Sequence, residues 1–425
     1  MNEMTERRIL RTKGLHPKQL TAFFSMASLY LFYYFCKYNI GVATKEMQDV
    51  FGLSNQSIGW ITTIFTLTYA AGQFINGFLG DRYGPKYVML AGAIGSVTAN
   101  VCFGLSGTFV FFVLFWAMNA YFSSCGWAPG CRILCNWFPE NRWGGWMGIY
   151  NAMCYLGGAI VLPIAAFAIT KWGWRGAFFL PPVFLFGMAA VFMFLGKNSP
   201  ADAGLRTQWV MDDRKISKER IGLKEYWLAF TNLKMAIAYV SGFGANFVRW
   251  GLMTWMVKIL AEPTENGGFG LSLGKAALIS SLMHYGGAIF SIILGMVSDR
   301  IFKGARWQTI LIAFVISTGA LLFIGQGSAI LQYPMGTFLL SAAMFLAGGL
   351  NQGLQTPLFN LPGDILGKEL GGTGAGIMDG WMYIGAAFAG VFLGWWLDTY
   401  GLLSGVVLMA VVSFVSGLLS IAIRK

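Results

Sequence analysis

Apolar runs separated by short polar stretches recur along the whole chain. A polar, basic opening at 1–19 gives way at Leu20 to the first run, and eleven more follow at about 58–80, 87–106, 109–135, 145–169, 175–195, 233–260, 275–297, 306–326, 332–358, 373–397 and 401–422. A helix needs roughly 20 apolar residues to cross a bilayer, so each run predicts one crossing. The first run is too long for a leader's apolar core and ends without a small-residue cleavage site, which predicts a retained helix. One polar connection is long, 196–232, and it leaves six runs on either side. The pattern predicts an all-α membrane protein of 12 transmembrane helices in two six-helix bundles. Its parts are a tail at 1–19, a first bundle at 20–195, a linker at 196–232 and a second bundle at 233–425.

The two halves repeat each other. Gly77-Phe78-Leu79-Gly80-Asp81-Arg82 follows the second run, and Gly295-Met296-Val297-Ser298-Asp299-Arg300 follows the eighth. In the fifth run Gly148-Ile149-Tyr150-Asn151 aligns with Gly376-Ile377-Met378-Asp379 in the eleventh. The Gly-Asp-Arg segments predict tight loops, in which Asp81, Arg82, Asp299 and Arg300 pair with neighbouring helix ends and hold one side shut. Paired repeats are how secondary transporters build two bundles that rock about a central site.

Charge orients this arrangement. Counted by alternate loops, 23 of the 30 Lys and Arg residues lie on the side of the N-terminus and five lie opposite, the asymmetry of the positive-inside rule. Both termini are therefore expected in the cytoplasm, with a bacterial inner membrane as the setting. A charged fraction of 11% excludes an ordinary soluble domain, where it is about a quarter. The net charge of +12 is spread over loops and makes no basic face for nucleic acid. The six cysteines sit in apolar or helix-end sequence and read as packing residues. No phosphate-binding loop, nucleophile elbow or metal-ligand cluster is visible, so neither cofactor, metal nor enzymatic chemistry is expected.

Two of the thirty basic residues fall well inside runs and away from their ends, Lys37 in the first and Arg249 in the seventh, at equivalent places in the repeat. A charge at membrane depth persists mainly where it meets water, a partner or a ligand. The pair predicts an anion clamp; the alternative is that each snorkels to an interface or neutralises an internal acid. His284, near the middle of the eighth run, suits either proton coupling or plain packing. Asp379 replaces the repeat-related Asn151 and could pair with a cation or exchange a proton.

The Gly-Phe-Leu-Gly-Asp-Arg-Tyr-Gly-Pro-Lys stretch at 77–86 resembles the loop signature of the major facilitator superfamily. Within it, Tyr33-Tyr34-Phe35-Cys36-Lys37, Gly126-Trp127-Ala128-Pro129-Gly130-Cys131-Arg132, Asn198-Ser199-Pro200-Ala201-Asp202-Ala203-Gly204-Leu205 and Arg249-Trp250-Gly251 resemble the organophosphate:phosphate antiporters. The resemblance implies the superfamily's fold and the exchange of a phosphate ester, such as glycerol phosphate or hexose phosphate, for inorganic phosphate by rocking-bundle alternating access. It carries that family's two essential arginines onto Lys37 and Arg249, where lysine keeps the charge but loses the planar fork. Tyr30, Tyr34 and Tyr69 match its site tyrosines, and Trp250 would line the same site. The chain departs from the family at Gln73 and Tyr38, each where a lysine is usual, at Cys154, where histidine stands, and at His284, where an acid is common.

Gln73 and the 77–86 loop also resemble the anion:cation symporters, which move carboxylates with protons or sodium. The expectation is a monomeric carrier of a small organic anion, either a phosphate ester or a phosphonate, sulfonate or carboxylate. Inorganic phosphate would be the counter-substrate, or a proton or sodium ion the co-substrate. His284, Asp379, Asn151, Arg132 and the Gly-Asp-Arg charges would serve gating or coupling. A membrane sensor that binds the anion without moving it is the alternative of a different class.

Overall fold

The computed structural model describes residues 9–10, 15–138, 143–207, 227 and 230–424. In hydrocarbon every backbone N–H and C=O must be satisfied within the segment, so apolar runs of this length become helices. The first half gives α1 (Pro17–Tyr33), α2 (Phe35–Phe51), α3 (Asn55–Tyr83), α4 (Pro85–Leu105), α5 (Phe109–Ser123), α6 (Trp127–Trp137), α7 (Trp143–Trp172) and α8 (Gly176–Leu195). The second gives α9 (Leu233–Ala261), α10 (Leu273–Met296), α11 (Arg306–Ile324), α12 (Gly336–Gly353), α13 (Gln355–Tyr400) and α14 (Leu402–Ile421). A two-residue parallel pairing joins Ile9–Leu10 to Arg206–Thr207.

Among the described residues, nine stretches are long and apolar enough to span on their own. The expected first, second and seventh spans fall outside that set; they correspond to α1–α2, α3 and α9, which carry Lys37, Gln73 and Arg249.

Two expectations about connections are corrected. The segment 77–82 is no loop, because α3 runs through it to Tyr83. The chain turns only at Gly84, whose φ of 91° suits glycine, and Pro85 then starts α4. In the second half Val297–Ile301 continues α10 as a π-helical turn. The connection expected between 358 and 373 is helical too, part of the 46 residues of α13. A Cβ on Gly374 would lie 2.9 Å from Cβ of Pro362, so the chain reverses inside that element.

Contacts group the chain into two compact units. Unit 1 is Met1–Lys37, Thr68–Gly157 and Phe178–Arg220; unit 2 is Tyr38–Leu67, Gly158–Ala177 and Ile221–Lys425. In unit 1 the break between α1 and α2 at Tyr34 is supported by buried amides, since Asn100 and Asn119 both donate to the Cys36 carbonyl at 3.2 and 2.7 Å. The 198–205 segment anchors the ends of several helices. Asn198 accepts from Lys86 N at 2.7 Å, its carbonyl takes Asn136 Nδ2 at 3.0 Å, and Lys18 Nζ reaches the Ala203 carbonyl at 3.0 Å. Residues 208–226 of the expected linker, and 228–229, lie outside the described residues.

Unit 2 pairs α9 with α13, α10 with α12 and α11 with α14, around a core that includes Met235, Tyr239, Phe314, Leu354, Met378 and Met382. Residues 38–67 join this unit through a polar seam. The Asp398 carboxylate caps the start of α3, accepting from Asn55 N and Nδ2 at 3.1 and 2.8 Å and from Gln56 N at 2.8 Å. Lys258 Nζ donates to Asn55 Oδ1. Lys45 lies 3.3 Å from Glu262 and 3.6 Å from Asp49. Deeper in, Thr63 donates to the Ala387 carbonyl at 2.7 Å and accepts from Val391 N at 3.0 Å. A Cβ on Gly59 would collide with the Gly390 carbonyl, so the two backbones approach as small residues permit. At the other end of this unit Arg306 binds Asp299, Asp364 at 2.9 Å and Ser298 at 2.9 Å.

Candidate functional site

Each unit holds one of the two membrane-depth cations, and each cation has its own surroundings. In unit 1 the helix break at Tyr34 places Lys37 in the first turn of α2, buried at 7% exposure. Its Nζ stands 3.8 Å from the centroid of Tyr69 and 5.1 Å from that of Tyr34. The negative face of an aromatic ring attracts a cation, so the two rings help hold Lys37 where it stands. Tyr30 Oη lies 3.3 Å from Tyr34 Oη, and its ring stacks on Tyr150 at 4.7 Å, which stacks on Trp127 at 5.6 Å. Tyr150 donates to the Gly126 carbonyl at 2.8 Å, in the break between α5 and α6. The Cys154 thiol bonds back to the Tyr150 carbonyl at 3.5 Å, within its own helix. Gln73 stands one turn beyond Tyr69, and its Oε1 is a buried acceptor with no protein partner among the described residues.

In unit 2 Arg249 and Trp250 are buried on α9, at 9% and 7% exposure. Tyr38 and His284 stack at 5.1 Å with an interplanar angle of 14°, and Tyr38 and Phe65 contact Trp250 at 6.5 and 6.2 Å. Gln352, in the last turn of α12, bonds His284 Nδ1 from its Nε2 at 3.1 Å. Asn246, one turn before Arg249, has a buried Oδ1 with no protein partner among the described residues.

The predicted residues therefore divide. Lys37, Tyr30, Tyr34 and Tyr69 come together in unit 1, with Cys154 behind Tyr150, while Tyr38, Trp250 and His284 come together in unit 2. Asp379, Asn151 and Arg132 are half-buried on their helices. Arg82 is exposed over the Tyr83 ring at 5.4 Å. Asp299 takes Arg306 as its partner, and Arg300 is exposed. The Asp81 side chain lies outside the described residues. Sequence reasoning passed over Tyr150, Trp127, Phe65, Asn246 and Gln352. Tyr150 and Trp127 stood inside the repeat and the 126–132 motif that it had singled out; the other three carry no signal in an apolar run. Among the described residues no three His, Cys, Asp or Glu side chains gather as metal ligands.

A model of the Major Facilitator Superfamily matches residues 26–389. The chain is 28% identical over 404 residues to a Chlamydia trachomatis protein named "Probable hexose phosphate transport protein", covering 88% of this chain and 84% of that one. It is 26% identical over 403 residues to the Escherichia coli "Membrane sensor protein UhpC", covering 92% and 88%. The crystal structure of the nucleoside transporter NupG superposes with a TM-score of 0.77 at 13% identity, covering 95% of this chain and all of that one, a likeness of fold alone.

Proposed function

The chain belongs to the Major Facilitator Superfamily and is an integral, multi-pass membrane protein; from that premise we propose that it carries a small phosphate-bearing organic anion across the membrane in exchange for inorganic phosphate. The observation that carries the reading is the pair of buried cations, Lys37 and Arg249, set at equivalent places in a duplicated sequence. A cation at membrane depth persists mainly where it meets water, a partner or a ligand, and an anionic substrate would be drawn to these two. The similarity to the C. trachomatis "Probable hexose phosphate transport protein" favours a phosphate ester over a carboxylate. The tyrosines beside Lys37 would pack against the organic part of the substrate. In this reading the halves on either side of 196–232 would move against each other, and the loop charges support both termini lying in the cytoplasm of a bacterium.

Purified protein in liposomes loaded with phosphate should take up labelled glucose 6-phosphate or glycerol 3-phosphate. Arg249→Ala should abolish uptake while the protein still elutes as a folded species; undiminished uptake by that variant would overturn the site. The similarity to a membrane sensor supports a second reading, binding without flux. Saturable binding of glucose 6-phosphate with no uptake, whatever ion gradient is imposed, would establish it instead.

A further inference from the structure

His284 is buried, at 2% exposure, yet its hydrogen bonding limits what it can do. Gln352 offers the ring its amide nitrogen, 3.1 Å from Nδ1. In this orientation the amide NH₂ donates, and Nδ1 then accepts and carries no proton. A neutral imidazole has one N–H, and that proton is then on Nε2. To become an imidazolium the ring would need a proton on Nδ1, facing the amide's own hydrogens, unless Gln352 turned its oxygen inward.

Packing fixes where that amide sits. Gly287 lies one turn beyond His284 on α10, and any Cβ there would collide with Gln352 Oε1, so the missing side chain is the seat in which the amide oxygen rests. The ring plane is fixed by the stack on Tyr38. A Cβ on Gly158 would fall 3.1 Å from His284 Cε1 and 2.8 Å from Tyr38 Cδ2, so α7 closes on the edge of the same stack. The charged or titratable groups that face the ring are Arg249 on α9, whose charge acts on it, and Tyr38 on α2.

We propose that Gln352, seated against Gly287, is a positioning residue that holds His284 as its neutral, Nε2-protonated form, so that His284 serves as a fixed hydrogen-bond donor to an oxygen of the transported anion beside Arg249. The proposal rests on the transport reading for the identity of the acceptor. It opposes the expectation that His284 carries a coupling proton. A neutral donor adds specificity for an oxyanion without adding a charge that titrates.

The chain has two histidines, so one substitution isolates the site spectroscopically. His16 caps α1, and His16→Asn keeps a capping residue there. In this variant, full-length and in nanodiscs, ¹⁵N-histidine NMR should show one neutral ring, protonated at Nε2, between about pH 5 and 8. Imidazolium signals or the Nδ1-protonated form in that window would overturn the proposal, whether or not the protein transports anything. Gln352→Leu and Gly287→Ala should each mix the two neutral forms or bring titration into the window, and Gln352→Glu should produce the imidazolium. In phosphate-loaded liposomes, Gln352→Leu should raise KM for labelled inorganic phosphate about tenfold, with the maximal rate changed by less than about threefold. An unchanged spectrum in both Gln352→Leu and Gly287→Ala would remove Gln352 from the role. Liposomes of the unsubstituted protein that exchange no phosphate or phosphate ester, with the NMR result intact, would instead count against the transport reading.

Discussion

Lys37 and Tyr69 meet through an interaction that depends on the ring face and not on the hydroxyl, because Nζ stands 3.8 Å over the ring centroid. Cation–π attraction is worth roughly 0.5–2 kcal/mol, towards the upper end where water is excluded. Tyr69→Phe should therefore leave apparent affinity for phosphate within about twofold, whereas Tyr69→Leu should weaken it about tenfold by letting Lys37 leave its place. Uptake kinetics of the two variants in the same liposomes check this; equal losses in both would mean that the hydroxyl, and not the face, does the holding. The same contact explains what the sequence made legible at this scale. A lysine and an arginine inside apolar runs are conspicuous because charge there is costly. Tyr150, Trp127 and Phe65 are not, since an aromatic residue in such a run looks the same whether it faces lipid or a cation. Gln352 and Asn246 were equally hidden, and only the folded contacts separate a structural amide such as Asn100 from one that orients a histidine.

Helices were legible wherever apolarity alone decides, and their breaks were not. The interruptions at Tyr34, at 124–126 and at Leu354 depend on which carbonyls find side-chain donors such as Asn100 and Asn119, and hydropathy carries no record of that. The reversal within α13 escaped notice in the opposite sense, as polar sequence that stays helical. Of the glycines spaced four apart on α13, Gly390 and Gly394 meet Gly59 and Asn55, whereas at Gly376 and Gly380 a side chain would meet open space. The seam at Asp398 belongs to this scale, because one carboxylate satisfies two backbone N–H groups at the start of α3 and ties that end to α13. An N-capping side chain is typically worth about 1 kcal/mol, and in the proposed transport cycle such a seam would open and re-form. Asp398→Ala should raise amide hydrogen exchange over 55–60 and 387–398 about fivefold, as read by mass spectrometry on the full-length protein in detergent. Thr63→Val should act on the same peptides through the loss of its bonds to Ala387 and Val391. Unchanged exchange in both variants would show that the apposed glycine backbones alone hold the seam.

At the scale of the whole molecule the duplication sets Lys37 in one half and Arg249 at the equivalent place in the other, and this bears on how transport is coupled. A carrier that only exchanges must be prevented from returning empty. Lys37 and Arg249 are 7% and 9% exposed, and the desolvation penalty for each charge is several kcal/mol even after the protein relaxes. In the proposed exchange a bound anion offsets part of that penalty, so the loaded carrier would cross its barrier more readily than the empty one. A symporter needs in addition a group that gains and loses a proton within the cycle. His284, held neutral as proposed, would not supply it, which would leave Asp379, half-buried on α13, as the remaining candidate among the expected coupling residues. Liposomes loaded with phosphate should accordingly take up labelled phosphate at least about a hundredfold faster than phosphate-free ones, the ratio expected when empty return is slowed by ~3 kcal/mol. An inward proton gradient should leave both rates unchanged, and Asp379→Asn should retain exchange. Uptake into phosphate-free liposomes that is driven by the proton gradient and lost in Asp379→Asn would reverse the assignment and make the protein a proton-coupled symporter with its titrating group on α13.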